Sequence, residues 1–173
     1  MISTPPVAVR LPHYTETELA EITGGAGDPF GTNGLGLTWR AKDVHFGVRQ
    51  GGRLVAHAGW AEVTMRVGDA RLRLGGLGGV IVAPAFRGRG LARLVVAAAV
   101  EHTRDTGADF GLLFCLPERV PVYERLGWRL LDDEVRVEQP GGPVRMPIPA
   151  MWIPPRDTDA WPPGPARLLT LPV

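Results

Sequence analysis

The stretch Gly79-Val-Ile-Val-Ala-Pro-Ala-Phe-Arg-Gly-Arg-Gly-Leu-Ala92 decides how the chain is interpreted. It begins as an apolar strand that stops at Pro84, and a short loop with two glycines then leads directly into a helix. A helix N-terminus presents free N–H groups and the positive end of the helix dipole, which suits an anionic phosphate. Gly88 and Gly90 allow a close backbone approach, and the arginines on either side of Gly88 add donors that match phosphate oxygens.

Other interpretations of this loop differ in how well the residues support them. A Walker A loop requires Gly-Lys-Ser/Thr, which is absent from the sequence. A dinucleotide fingerprint requires a third glycine where Arg93 stands, and no acidic residue closes a following strand. An RNA-binding RGRG segment would bring companion repeats or interleaved aromatic residues, and neither is present. Phosphate binding and a helix start that needs glycine only for its turn both remain open at this point.

Strand and helix patterns alternate on both sides of the loop. Residues 90–106 carry apolar side chains at helical spacing, which predicts a helix with one buried stripe. Strands at 44–48, 54–67 and 71–82 form a meander before it. The continuous apolar run 110–115 predicts a strand buried on both faces. Further predicted elements are strands at 7–11, 128–137 and 144–153 and helices at 15–22 and 117–126.

This order of elements predicts an α/β (α+β) fold with a mixed, mostly antiparallel sheet and helices on both of its faces. A length of 173 residues suits one domain, 1–173, with a sizeable core. Proline concentrates near the end of the chain, and we interpret residues 147–173 as a proline-rich arm that packs on this domain.

Composition argues against several classes of partner. The formal net charge is +1, so no broad basic field exists to attract nucleic acid. The lone Cys115 excludes an internal disulfide and a cysteine-based zinc site, and we expect no bound metal. No run of about 18 apolar residues predicts a membrane span. We therefore expect a cytoplasmic protein without nucleic-acid or membrane partners, and a homodimer remains open.

Two segments in order resemble the signatures of the GNAT acetyltransferase superfamily. The first is Arg87-x-x-Gly90-x-Ala92 after an apolar strand, which is similar to the acetyl-CoA signature. The second is Val122-Tyr-Glu-Arg-Leu-Gly-Trp128, in which a tyrosine precedes a Gly-aromatic pair by four residues. The resemblance covers residues 44–137 well and the flanks weakly.

The resemblance implies acetyl-CoA as co-substrate. Backbone N–H groups near the start of the helix would hold its pyrophosphate, and the edge of the preceding strand would bind the pantetheine arm like an added strand. The cofactor-binding residues implied in this way are Val80, Ile81, Val82, Arg87, Gly88, Arg89, Gly90, Leu91 and Ala92.

Within the superfamily, the chain resembles aminoglycoside 2'-N-acetyltransferases more weakly. Shared features are an early Gly27-Asp28, an Ala56-His57 strand and a proline-containing last strand. That group has a glutamate next to the Gly-Val of the cofactor strand, whereas this chain has Gly78-Gly79-Val80.

Acetylation of an amine needs an oxyanion donor, a proton for the leaving thiolate and a neutral amine. A backbone N–H near Val82 is the expected oxyanion donor. Tyr123, which the resemblance puts at the thioester sulfur, is the expected general acid. No general base stands out: His57 is a candidate base or a satisfied buried histidine, and Glu62 is a candidate base or a solvated charge, while a water chain would also serve. Cys115 could act as a nucleophile, but its apolar run favours burial.

We expect the acceptor site to lie under two irregular segments, the glycine-rich loop 24–43 and the proline-rich segment 147–165. Asp28, Trp39 and Asp43 near the glycine-rich loop could bind a cationic amine through carboxylates and a ring face, or could serve the loop and the core. The proline-rich segment adds Trp152, Asp157, Asp159 and Trp161 as further acceptor-side candidates.

The predicted function is transfer of an acetyl group from acetyl-CoA to a primary amine of a small molecule by direct attack. One alternative is transfer of a longer acyl chain, which an apolar tunnel at residues 75–79 would favour. The other is a non-catalytic acyl-CoA-binding regulatory module.

Overall fold

One ten-stranded sheet organises the part of the chain that the computed structural model describes, residues 4–157 and 160–173. Its strands are β1 (Val9–Leu11), β2 (Val44–Gln50), β3 (Arg53–Val67), β4 (Ala70–Val82), β5 (Phe110–Phe114), β6 (Arg129–Leu131), β7 (Val135–Val137), β8 (Val144–Arg145), β9 (Ala150–Ile153) and β10 (Ala166–Leu168). The α-helices are α1 (Glu16–Thr23), α2 (Leu91–Asp105) and α3 (Val120–Glu124). Single 3-10 turns lie at Asn33–Leu35, Pro84–Phe86 and Pro117–Arg119.

Strand β3 is the centre of the sheet. It pairs antiparallel with β4 along most of its length, with β2 over its first half and with β10 near its end. The pairs β4–β5 and β7–β10 are parallel, and the other pairs among the described strands are antiparallel. The predicted mixed, mostly antiparallel sheet is confirmed.

Helices cover both faces of this sheet. The Trp60 indole N–H on β3 donates to the Thr103 hydroxyl of α2 at 3.0 Å. His57 on the same strand stacks against the ring of Tyr14, just before α1, with centroids 3.8 Å apart. Residues 57 and 60 differ by an odd number, so their side chains leave opposite faces of the strand. Hence α1 and α2 lie on opposite faces, as predicted.

Local signals fix several helix ends where the sequence indicates them. The Thr15 hydroxyl accepts from the Glu18 N–H at 3.2 Å, and the Glu18 carboxylate accepts from the Thr15 N–H at 3.3 Å. This reciprocal pair satisfies two N–H groups at the start of α1. Gly107, with φ +70°, follows the end of α2. None of the helices in the described ranges has both the length and the apolar character to cross a membrane.

Two parts of the predicted strand pattern need correction. The strand predicted at 128–137 is broken by two aspartates into β6 and β7. The strand predicted at 144–153 is broken between β8 and β9, where Pro147 and Pro149 cannot donate to a sheet ladder. Residues 147–173 contribute β9, which lies between β5 and β6, and β10, which lies between β3 and β7. The segment Ala150–Ile153 contains no proline and is apolar, so its four residues can pair as a strand of the sheet.

The sheet opens between its two central parallel strands. β4 and β5 pair only from Leu74–Phe110 to Leu77–Leu113. Beyond this point β4 continues beside β3, whereas β5 ends at Phe114. The register between β3 and β4 also shifts here, and Gly79 in the shifted segment has a φ of +61°. The bulge and the divergence leave one edge of β4 open beside a cavity.

Candidate active site

A cavity of about 770 Å³ occupies the gap between β4 and β5. Its volume lies within the roughly 300–1,000 Å³ typical of small-molecule sites. The cavity extends from the loop before α2, along the open edge of β4, to the segments before β2 and after β5. Its lining comprises residues 29–33, 39, 42, 77–82, 86–88, 90–92, 113–116, 118, 119, 122, 123 and 173.

The structure brings most of the predicted cofactor residues to this cavity. Arg89 is the exception, because its guanidinium lies over the Phe86 ring at 5.0 Å and donates to the Ala85 carbonyl at 3.3 Å. The predicted residues that line the cavity are Val80, Ile81, Val82, Arg87, Gly88, Gly90, Leu91 and Ala92.

The loop before α2 has the backbone form that an anion site requires. Gly88 and Gly90 have φ values of +76° and +75°, and open space lies where their Cβ atoms would be. Gly90 caps α2 without a side-chain acceptor, and the first turn carries no acidic residue. The N–H groups of that turn are therefore available to an external acceptor and lie at the positive end of the helix dipole.

The open edge of β4 presents backbone groups on the side away from β3. The Ala83 N–H donates across to the Val55 carbonyl of β3 at 2.9 Å. Backbone groups alternate in direction along a strand, so those of Val82 point the other way. Consistently, the Val82 carbonyl accepts from Arg87 Nε at 3.3 Å. An extended ligand arm beside β4 would meet such groups as an added strand does.

His57 lies behind β4 and does not line the cavity. Its side chain is buried, with an exposed fraction of 2%. Its Nδ1 lies 2.7 Å from the Gly79 carbonyl oxygen, and its Nε2 lies 2.9 Å from His45 Nδ1. A carbonyl only accepts, so His57 Nδ1–H is the donor and its Nε2 accepts from His45 Nδ1–H.

Burial lowers the pKa of His57 to about 4, and the hydrogen bond to Gly79 offsets only part of this shift. The imidazole is therefore neutral at physiological pH, with both nitrogens engaged. Tyr14 covers one face of the ring. This arrangement holds the carbonyl of Gly79 at the β4 bulge in one direction.

Tyr123 lines the cavity on the side of β5. Its backbone carbonyl accepts from the Leu126 and Trp128 N–H groups at 2.9 and 3.0 Å, and its ring meets the Trp128 ring edge-on. Burial raises the pKa of Tyr123 to about 12, and the nearby Cys115 adds to the shift. The phenol is therefore protonated throughout the physiological range and can donate.

Cys115 also lines the cavity, directly after β5. Its side chain is buried, and its Sγ lies 3.9 Å from the Met151 Sδ. Burial raises the pKa of this thiol to about 11. A protonated thiol is a poor nucleophile, which fits the packing role that its apolar surroundings indicate.

The predicted acceptor carboxylates lie outside the lining. Asp28 accepts from the Thr32 and Asn33 N–H groups at 3.0 and 3.1 Å, so it shapes the loop that lines one wall. Asp43 pairs with Arg40 at 2.9 Å. Trp39, by contrast, lines the cavity. Glu62, a candidate base, forms an exposed ion pair with Arg73 at 2.8 Å and is also outside the lining.

The candidates in the proline-rich segment do not reach the cavity. Trp152 and Trp161 pack together with Phe110 in the core on one side of the sheet, and Arg129 lies over the Trp152 ring at 5.0 Å. Asp157 is not in the lining. Asp159 lies outside the described residues. Within the ranges 4–157 and 160–173, no three His, Cys, Asp or Glu side chains form a group that could hold a metal ion.

Several cavity residues have no motif that sequence analysis could detect. Gly31 brings the 29–33 loop against Leu116, close enough that a Cβ at Gly31 would lie 2.7 Å from a Leu116 methyl group. Lys42 reaches the cavity from the segment before β2. It is the only lysine among the 19 Lys and Arg residues of the chain, a compositional signal that could have drawn attention to it. Other lining residues that sequence analysis does not single out are Pro29, Phe30, Thr32, Asn33, Leu77, Leu113, Phe114, Leu116, Glu118, Arg119 and Val173.

Solved structures of similar fold include several acetyltransferases. A GCN5-related N-acetyltransferase from Kribbella flavida is 26% identical with a TM-score of 0.51, and the match covers 71% of this chain but 34% of that one. This chain thus spans about a third of the Kribbella protein. A GNAT family N-acetyltransferase from Escherichia coli, solved with CoA, is 14% identical with a TM-score of 0.62 over 97% of this chain and 93% of that one. A GNAT family acetyltransferase from Brucella melitensis, solved with acetyl-CoA, is 15% identical with a TM-score of 0.55 over 92% and 94%.

No curated protein matches the chain at the sequence level. The model of the acetyltransferase (GNAT) domain family, in contrast, matches residues 39–131, which is more than half of the chain. This range contains the bulged β4, the loop before α2, the divergence of β5 and Tyr123. The chain belongs to the GNAT acetyltransferase family.

Proposed function

We propose that this protein transfers an acetyl group from acetyl-CoA to a primary amine of a small-molecule acceptor by direct attack. One observation carries the proposal. A single cavity joins the glycine loop before α2, the open edge of β4 and the phenol of Tyr123. An acyl thioester that carries a pyrophosphate needs an anion site for the phosphates at one end and a proton donor for the sulfur at the other.

Acetyl-CoA fits the residues that line this cavity. The free N–H groups at the start of α2 and the guanidinium of Arg87 suit the pyrophosphate. The outward backbone groups of β4 near Val82 suit the amides of the pantetheine arm. When bound, the co-substrate supplies the activated acetyl group, and every other part of the chemistry falls to side chains and backbone groups of this chain.

The oxyanion donor in this proposal is the N–H of Val80. A trans peptide unit directs its C=O and N–H in opposite directions. His57 holds the Gly79 carbonyl at 2.7 Å, so the Val80 N–H of the same peptide unit points away from His57. Val80 lines the cavity and His57 does not. The role that we assign to His57 is therefore to orient this peptide rather than to accept a proton, and the donor shifts from Val82 to Val80.

Tyr123 is the general acid in this proposal. Its phenol stays protonated because burial raises its pKa to about 12. A thiol has an ordinary pKa of about 8.5, so the departing thiolate is a weaker base than the Tyr123 phenolate. The phenol therefore donates its hydrogen bond to the sulfur as negative charge develops there, and the Tyr123 oxygen regains a proton from the acceptor side before the next turnover. Direct attack by the acceptor amine is favoured over an acyl-cysteine route because Cys115 is buried and protonated.

The glycine-rich start of the open region favours acetyl over a long acyl chain. A Cβ at Gly75 would lie 2.3 Å from the Thr103 hydroxyl, and one at Gly76 would lie 2.6 Å from a Val173 methyl group. Neighbouring side chains fill the space beside these two glycines, so the stretch 75–79 borders the cavity only at its C-terminal end. An apolar tunnel along the whole stretch would have favoured the longer chain.

The test is release of free thiol from acetyl-CoA in the presence of a panel of primary amines. Acetyl-CoA is expected to be consumed with at least one small amine, and hexanoyl-CoA to react more slowly. The Gly90→Val variant serves as the control for turnover outside the site. Binding of CoA without thiol release for any amine would favour a non-catalytic acyl-CoA-binding module instead.

A further inference from the structure

Lys42 is a built part of the cavity rather than a surface lysine. Its backbone segment is held on both sides, because the Arg40 N–H donates to the Pro172 carbonyl at 2.7 Å and the Asp43 N–H donates to the Trp60 carbonyl at 2.9 Å. Its side chain is half-buried and lines the cavity. Residues held in this way present a functional group in a defined position.

Two paired glycines make the groove that directs the Lys42 side chain. Gly59 of β3 and Gly78 of β4 are opposite each other in the sheet. A Cβ at Gly59 would lie 2.5 Å from Lys42 Cγ, and a Cβ at Gly78 would lie 2.5 Å from its Cε and 3.0 Å from its Nζ. The missing Cβ atoms therefore let the side chain lie across both strands, with Nζ beside the β4 bulge.

The ammonium group has few partners there. Nζ donates to the Arg40 carbonyl at 3.1 Å. No carboxylate of the described residues lies within 4 Å of it. Gly78 precedes Val80 by two residues, a separation on the order of 6 Å along a strand. Nζ is thus close to the peptide proposed to bind the thioester carbonyl.

We infer that Lys42 is the general base of the transfer, the group that takes the proton from the ammonium form of the acceptor before attack. This inference rests on the proposed function and deepens it. The proton moves from the acceptor nitrogen to neutral Nζ, the freed lone pair attacks the thioester carbon, and the C–S bond breaks. Tyr123 gives its proton to the departing sulfur, the proton lost from the newly formed amide nitrogen restores the Tyr123 phenol, and the proton on Lys42 passes to solvent.

The electrostatic surroundings of Lys42 suit this role. Burial, together with the nearby Arg40, lowers the pKa of Lys42 to about 8, and Asp43 opposes part of this shift. At pH 7 about a tenth of such groups are neutral, compared with roughly one in 2,500 for an ordinary lysine. Arginine has no accessible neutral form, and the chain has arginine at every other cationic position except its histidines. The other charged or titratable groups that face this region are His45, His57, Arg87, Cys115, Glu118, Arg119, Tyr123 and the carboxyl group of Val173.

The first experiment measures the pKa of Lys42 without any acceptor. The intact protein is treated with trace acetic anhydride from pH 6 to 11, and the peptide that contains Lys42 is quantified by mass spectrometry. Because Lys42 is the only lysine, one peptide reports its ε-amine. We expect a labelling midpoint of about 8 and slower labelling in the presence of CoA. A midpoint near the ordinary lysine value of about 10.4 would overturn the inference.

The second experiment compares Lys42→Arg and Lys42→Met with the parent protein. Both variants should keep the CoA-induced rise in Tm, since Lys42 is outside the loop before α2. We expect kcat to fall by roughly 10²-fold or more in both, with loss of the ascending limb of the kcat–pH profile that is centred near the pKa of Lys42. A lysine that only anchors an anion would be replaced by arginine with little loss. Lys42→Arg turnover within threefold of the parent, with the same pH profile, therefore contradicts a base role.

These outcomes separate the inference from the function on which it rests. If the parent protein binds CoA but acetylates no amine, the proposed function fails, while the labelling midpoint still reports on Lys42. If the parent transfers acetyl groups and both variants match it, the function stands and the base is another group or water.

Discussion

The two ends of the cavity are built in different ways. The cofactor end comes from one continuous segment, residues 79–92, in which a strand, a loop and a helix N-terminus follow each other along the chain. The end that we propose for the acceptor is assembled from the 29–33 loop, Lys42, residues after β5 and Val173. Backbone geometry defines the first end, and side chains from separate elements define the second. Substitutions should therefore act on the two ends independently.

The largest effect should follow from a bulky residue at the cofactor end. Gly90→Val places a β-branched residue at a φ of +75°, which costs roughly 1–2 kcal/mol of folding free energy. Its side chain also projects toward the N–H groups at the start of α2 that we propose bind the pyrophosphate. We expect the variant to fold and to lose the CoA-induced rise in Tm, because a ligand stabilises the folded state only if it binds. Differential scanning fluorimetry with and without CoA measures this.

Gly107→Val is the matched control for Gly90→Val. Gly107 has a φ of +70° and open space at its Cβ, but it lies at the opposite end of α2 and outside the cavity. The two variants should lose similar stability, and only Gly107→Val should keep the CoA response. A CoA response retained by Gly90→Val would contradict the proposed phosphate loop.

The next effect separates chemistry from binding within the cavity. Tyr123→Phe removes the proposed acid but keeps the ring, so we expect kcat to fall by roughly 10²-fold with little change in CoA affinity. Tyr14→Phe is the natural control, since Tyr14 is the other tyrosine of the chain, is likewise half-buried, and also has its pKa raised to about 12. Steady-state thiol release measures both. Equal losses in the two variants would indicate packing rather than catalysis.

The sequence predicts the residues of the cofactor end better than those of the acceptor end, because the first come from one continuous segment and the second from separate elements. A strand–loop–helix segment carries its own conformation, so residues such as Gly88 and Gly90 can be assigned from local chemistry. Charge and position beside the glycine-rich loop indicate Asp28 and Asp43, but in the structure local hydrogen bonds hold Asp28 and Arg40 holds Asp43. Lys42 reaches the cavity only because Gly59 and Gly78 pair across two strands, and sequence alone does not give that register.

His57 illustrates the same difference within a single strand. Alternation along β3 leaves open which face carries the cavity, and the extra residue at the β4 bulge changes the relation between the two strands. The structure puts the imidazole behind the bulge, bonded to Gly79. The sequence indicates His57 as a candidate base or a buried histidine, and the function that its position supports is orientation of a peptide.

A third prediction tests whether His57 orients that peptide. His57→Asn can keep a donor near the Nδ1 position, whereas His57→Leu cannot. We expect kcat to fall about tenfold or more in the leucine variant and distinctly less in the asparagine variant, since a misdirected oxyanion donor weakens stabilisation of the developing charge. If both variants lose activity equally, together with a pH limb near 6.5, a base role for His57 would be supported instead.

His57 also predicts a pH dependence of stability. Its pKa is about 4 in the folded protein and about 6.5 in the unfolded chain. The folded state therefore binds fewer protons between these values, and its stability falls as the pH falls from about 6.5 to about 4. The contribution is about 3 kcal/mol, and it is fully present above pH 6.5. Urea unfolding across this range should show a flatter profile for His57→Asn than for the parent.

The smallest effects should come from the two aspartates of the acceptor end, and they distinguish shaping a wall from binding the amine. Asp28→Ala removes two hydrogen bonds to the backbone of the loop, a loss of about 1 kcal/mol for a capping residue. Because Thr32 and Asn33 line the cavity, we expect the acceptor KM to rise a few-fold.

Asp43→Ala removes only an exposed ion pair with Arg40, worth roughly 0–1 kcal/mol, and should leave KM unchanged. Acceptor kinetics at saturating acetyl-CoA measure both, and the CoA-induced Tm shift should be the same in each variant. A rise in KM of equal size in the two variants, reduced by added salt, would mean that both carboxylates attract the cationic acceptor directly, in which case charge rather than loop shape defines this end of the cavity.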